Sequence, residues 1–134
     1  MLLANPENNG PLKLNTRVLF VDHDANCRYA AMIINAGWIS TKISADISNF
    51  DASDVFEAHG IFVNAEGVGA GFFYDQGYGL AVALKEKYPA KKIVIYGVDG
   101  RPDIFLKTAR GVDAYIPKGA QAYDFVKLLE GFFN

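Results

Sequence analysis

The sequence predicts an α/β domain: a doubly wound, five-stranded parallel sheet in the order 2-1-3-4-5, with helices on both faces. Three observations lead there. The short runs Val18–Val21, Gly60–Asn64 and Lys92–Gly97 are apolar, β-branched and aromatic, as strands buried on both faces are. Segments of helical periodicity separate them, the alternation that builds parallel sheets. The first run also ends abruptly in Asp22-His23-Asp24, at the carboxyl end of a strand where open α/β sheets bind ligands.

The elements follow in order. Residues 1–15, with Pro6, Asn8, Asn9, Gly10 and Pro11, read as a flexible lead-in, and 16–134 as one domain. Val18–Val21 is the first strand. Asp24 is a plausible N-cap for a helix starting at Ala25, whose apolar face is Cys27, Ala30, Ala31 and Ile34 and whose stop is Gly37. Trp38–Ser44 reads as the second strand. In the less patterned segment that follows, Asp51-Ala52-Ser53-Asp54 starts a helix with Val55, Phe56 and Ala58 as its apolar face. Gly60–Asn64 is the third strand. Residues 65–79 hold five glycines with Phe72, Phe73, Tyr74 and Tyr78, too glycine-rich for regular structure and too aromatic for a plain solvated loop. A helix through Leu80, Ala83, Leu84 and Lys87 stops at Tyr88-Pro89. Lys92–Gly97 is the fourth strand, Pro102–Arg110 a helix closed by Gly111, and Ala114–Ile116 a short fifth strand. Residues 120–133 form the last helix, with Ala122, Phe125, Val126, Leu129 and Phe132 or Phe133 turned inward.

Composition narrows the function. With 51% apolar and 21% charged residues, 134 residues can bury an ordinary core. The net charge is −2 with scattered Lys and Arg, which is no nucleic-acid footprint. Cys27 is the only cysteine, so neither a disulfide framework nor a cysteine zinc site is available, and a reducing cytoplasmic setting is the expectation. No apolar run approaches a membrane span, and the first residues lack a signal peptide's basic and apolar regions.

Phe20-Val21-Asp22-His23-Asp24, the approach to the fourth strand at 89–97, and Gly111-Val112-Asp113-Ala114-Tyr115-Ile116-Pro117-Lys118, in that order, resemble one family. It is the receiver domain of bacterial response regulators, the chemotaxis regulator among them, and the resemblance covers residues 16–134. It implies a flavodoxin-like fold and a place in two-component or phosphorelay signal transduction. In such receivers two adjacent acids after the first strand hold Mg²⁺. An aspartate ending the third strand takes a phosphoryl group, and a hydroxyl after the fourth strand and a lysine after the fifth bind it.

On this sequence those positions fall on Asp22 and His23, Asn64, Gly97 and Lys118. An amide does not become an acyl phosphate, and imidazole is a poor ligand for a hard cation. Glycine carries no hydroxyl. Only Asp22 and Lys118 keep the family's chemistry, and Lys118 is followed by Gly119 where the family has proline. The interval from Asn64 to Gly79 is also longer than usual in the family. The resemblance therefore implies a degenerate pseudo-receiver: not an enzyme, without a cofactor, with no metal expected and Asp22 the remaining candidate ligand. Asp22 is expected to pair with Lys118, since a buried charge needs a partner.

Other signals are weighed beside this. Sliding the acceptor by two residues brings up Glu66, which with Asp24 is a substitute acid for a phosphorylated receiver. Asp22, His23, Asp24 and Glu66 are also the residues from which a single metal site would be assembled. Gly67-Val68-Gly69-Ala70-Gly71 invites a small-molecule or nucleotide sensor, but lacks the Lys-Ser/Thr ending of a phosphate loop. The plainer expectation is a flexible insert whose aromatics fold over the rim or meet a partner. Tyr115 takes the place of the family's switch aromatic. It sits at the face of the 102–110 helix, fifth strand and last helix that serves output or homodimerisation. The function expected is a phosphorylation-independent signalling module acting on other signalling proteins, a sensor kinase or an output protein. Nucleic acid and membrane are not expected partners.

Overall fold

The computed structural model describes residues 13–100 and 111–133. Five parallel strands, β1 (Val18–Val21), β2 (Thr41–Ser44), β3 (Gly60–Asn64), β4 (Lys92–Val98) and β5 (Ala114–Pro117), form one sheet in the order β2-β1-β3-β4-β5. Among the described residues the helices are α1 (Arg28–Asn35), α2 (Ser53–Glu57), α3 (Gly77–Lys87) and α4 (Ala122–Phe133). The expected helix over 102–110 and the first twelve residues of the expected lead-in lie outside the described residues. No helix among those described is long and apolar enough to cross a membrane.

Because successive strand residues point to opposite faces, each central strand feeds two cores. Leu19, Val21, Ile61, Val63, Ile93 and Ile95 pack with Val55 of α2 and Leu80, Ala81 and Leu84 of α3. Val18, Phe20, Phe62, Val94 and Tyr96 pack with Ala30 and Ile33 of α1 and Phe125 and Leu129 of α4. The second core is aromatic: Phe20 stacks on Phe62 at 5.0 Å, and Phe125 lies 5.6 Å from both Phe62 and Tyr96. The register sets Val21 beside Ser44 and Val63, and Asn64 beside Tyr96.

Several boundaries differ from the sequence expectation. Helix α1 starts at Arg28 with Cys27 as its N-cap, not at Ala25 with Asp24. Asp22 Oδ1 accepts the Asp24 N–H at 2.8 Å and Asp24 Oδ1 accepts that of Asn26 at 2.9 Å. These side chains hold the backbone in turns that compete with helix. Strand β2 begins at Thr41, because Trp38 still donates its N–H to Ile33 at the end of α1 (3.0 Å). In α2 only Val55 is buried; Phe56, expected on the apolar face, is exposed beside Lys91 and Tyr88.

The glycine-rich stretch departs most. Helix α3 begins at Gly77, so the loop ends at Gln76, and Gly77, Tyr78 and Gly79 are helical. Nor is the loop a loose insert. Val68 and Ala65 are buried. The Gly67 N–H is bound to Gln76 Oε1 at 2.8 Å, and that of Gly69 to Asp46 Oδ1 at 2.9 Å. Gly77 explains part of the composition. A Cβ there would lie 1.9 Å from the Asn64 carbonyl oxygen and 2.9 Å from Ala65 Cα, so only glycine lets α3 start against the end of β3.

Candidate functional site

Asp22 follows Val21, Asn64 ends β3, and Tyr96 is the β4 residue paired with it. All three fall on the α1/α4 side of the sheet at the carboxyl ends of neighbouring strands. They line a cleft of about 480 Å³ together with Tyr29, Glu66, Gly97, Lys118 and Phe125. Of the rim residues expected from the sequence, Asp22, Asn64, Gly97 and Lys118 are thus brought to one place, and His23 is not among the cleft's lining.

Within the cleft Asp22 is the hub. It is only 7% exposed. Its Oδ2 accepts the Asn64 side-chain N–H at 3.2 Å and the Tyr96 hydroxyl in a short hydrogen bond, while Oδ1 takes the Asp24 N–H. The Asn64 amide is oriented from its other end, where Oδ1 accepts the Glu66 N–H at 3.1 Å. Burial first, and then the hydrogen bond to Asp22, push the Tyr96 phenol far above the usual tyrosine range, so it remains a proton donor. The Cys27 thiol lies 3.9 Å from that hydroxyl and is itself raised, chiefly by burial.

The expected Asp22–Lys118 pair is not formed. Lys118 Nζ stands 4.0 Å from Glu66 and 3.9 Å from Asp99, with its side chain 59% exposed. Three neutral donors already satisfy Asp22, and drawing the ammonium into the cleft would cost its hydration. Gly97, the expected hydroxyl position, lines the cleft without a side chain. Gly97 has φ +72° and sits where the β4–β5 register slips between Tyr96 and Val98, so it is a bulge. The hydroxyl that reaches Asp22 from β4 is that of Tyr96, one residue earlier. Sequence reasoning missed it because an aromatic inside an apolar strand reads as core; its pairing opposite Asn64 was the available signal.

The remaining candidates lie around the rim. His23, Asp24 and Glu66 are exposed, with His23 beside Gly67. Among the described residues, no three His, Cys, Asp or Glu side chains are gathered so as to hold a metal ion. The Mg²⁺ that the fold family implies does not fit the arrangement around Asp22, because both carboxyl oxygens accept protein hydrogen bonds and Asn64 turns N–H groups, not lone pairs, toward it. Tyr115 is half-buried and packs against the core on the α2/α3 side.

No protein-family model matches the chain, and neither does any curated protein. Solved structures do. NtrX from Brucella abortus in complex with ATP superposes at a TM-score of 0.67 with 20% identity, over 87% of this chain and 26% of that one. The beryllofluoride-activated NtrC4 receiver domain dimer matches at 0.67 and 16% identity, covering 87% of this chain and 95% of its own. A CheY-like response regulator receiver domain protein from Methanospirillum hungatei matches at 0.62 and 18%, covering 87% and 91%. The chain therefore spans about a quarter of the longer NtrX chain and nearly all of the separate receiver structures, and its fold is the receiver-domain fold.

Proposed function

We propose that this chain is a signal-transduction module on the receiver fold that works without being phosphorylated, through protein–protein interaction. One observation carries the reading: the side chain ending β3 is an amide whose N–H is committed to Asp22 Oδ2. That arrangement leaves no carboxylate there to take a phosphoryl group. The Tyr96 hydroxyl and the Asp24 N–H complete the hydrogen bonding of Asp22, so both of its carboxyl oxygens are engaged by the chain's own donors. The nucleotide-sensor alternative loses its structural basis, since the Gly67 and Gly69 N–H groups that would cradle phosphate are bound to Gln76 and Asp46. Its partners are other signalling proteins, a sensor kinase or an output protein, in a cytoplasmic setting. Homodimerisation through the Tyr115 face belongs to the same reading.

An amide NMR titration with Mg²⁺, then beryllofluoride, tests it. The expected result is no saturable shift at residues 22–24, 64–66, 97 and 118. Saturable shifts at these positions overturn the reading and assign acceptor chemistry to Glu66 or Asp24.

A further inference from the structure

The loop from Ala65 to Gln76 presents two aromatic side chains to solvent. Phe72 is 65% exposed and Tyr74 fully so, although an apolar ring in water is unfavourable. The backbone beneath them is fixed. Phe73, between them, is partly buried against the core cluster that includes Val68. The Phe73 N–H is bound to the Gly69 carbonyl at 2.8 Å, and Gln76 closes the loop at φ +56° with its side chain bound back to Gly67. A residue other than glycine held at positive φ, with its side chain engaged, marks a loop whose shape its surroundings over-determine.

Charge within the loop and the start of α3 has one sign. Residues 65–84 contain Glu66 and Asp75 and no Lys or Arg. Among the described residues Lys118 is the cation beside Glu66, and it is shared with Asp99. Asp24 is exposed on the same rim and His23 lies beside Gly67. Among the described residues, Glu66, Asp75, Asp24 and Asp99 thus outweigh Lys118 around the loop and the rim. After burial, Glu66 and Asp99 also raise the Tyr78 phenol at the start of α3.

We propose that the 65–76 loop is a preorganised docking wedge whose Phe72 and Tyr74 enter an apolar pocket, rimmed by Lys or Arg, on a partner protein. This rests on the protein-interaction reading and names where and with what chemistry the interaction occurs. Aromatic anchors concentrate interface energy. A loop already held in shape loses little entropy on binding, and the acids select a basic partner and speed encounter.

A peptide library displayed on phage and selected against the whole protein tests this. The expected outcome is enrichment of apolar sequences bearing Lys or Arg, whose affinity falls about tenfold or more in Phe72→Ala/Tyr74→Ala. Because both side chains point into solvent, the double variant keeps the parent's thermal midpoint. Phe72→Leu/Tyr74→Leu retains part of the affinity, and Glu66→Lys/Asp75→Lys removes the preference for basic peptides. Four results overturn the proposal: no enrichment, enrichment without basic residues, binding indifferent to Phe72 and Tyr74, or self-association in sedimentation that the double variant abolishes. Failure here leaves the beryllofluoride titration unaffected, so the wedge and the phosphorylation-independent reading fall separately.

Discussion

Tyr96 performs two jobs that one oxygen atom separates. Its ring packs against Phe20 and Phe125, each with centroids 5.6 Å away, while its hydroxyl donates to Asp22. Tyr96→Phe keeps the ring and leaves Oδ2 of a buried carboxyl with Asn64 alone. Losing a hydrogen bond to a buried charged group costs about 1.5–3 kcal/mol, so stability is expected to fall by that amount, read as a lower urea midpoint at unchanged slope. In an Asp22→Ala background the same change is expected to cost far less; equal costs in both backgrounds would show that the bond to Asp22 is not the source. Asp22 and Asn64 were legible in the sequence because a polar residue that ends an apolar strand announces itself. Tyr96 was not, because nothing in an apolar strand distinguishes a ring that packs from a ring that also donates.

At the scale of elements, strands were the most legible part, and Gly60–Asn64 was placed to the residue. A run that must be apolar on both faces has little freedom in its ends. Helix starts were less legible: side-chain turns at Asp22 and Asp24 delay α1, and two glycines, Gly77 and Gly79, lie inside α3 against their own propensity. Contact with β3 overrides that propensity, which Gly77 makes testable. Gly77→Ala places a methyl against the backbone of Asn64 and Ala65, and neither strand nor helix can retreat without breaking the Gly77 N–H bond to Ala65 at 3.2 Å. A loss of at least about 3 kcal/mol is expected. Gly71→Ala in the same loop meets nothing within 4 Å and is expected to stay within about 0.5 kcal/mol of the parent. Comparable losses at both positions would mean that glycine content, not the contact at Gly77, sets the loop's stability.

Across the whole molecule the two ends of the sheet are built for different purposes. The carboxyl end gathers the cleft and the wedge. At the amino end the His59 ring ties β1 to β3, its Nδ1 accepting the Arg17 N–H at 2.9 Å while the His59 N–H binds the Arg17 carbonyl at 2.8 Å. Partial burial first, then the Arg17 and Lys91 charges, lower the His59 pKa from its usual 6.5. The folded state therefore binds its proton less readily than the unfolded chain. By linkage, the contribution of neutral His59 is whole above the unfolded value and is lost as the pH falls through the lower, folded value. His59 is exposed, so solvent screening keeps the effect small. Lowering the pH from about 7.5 to about 5.5 is expected to reduce the urea midpoint of the parent more than that of His59→Asn, whose carbonyl can accept the same N–H without titrating. Parallel declines in the two proteins would place the pH dependence on other groups and leave the Arg17–His59 bond a purely structural tie at the end of the sheet opposite the cleft.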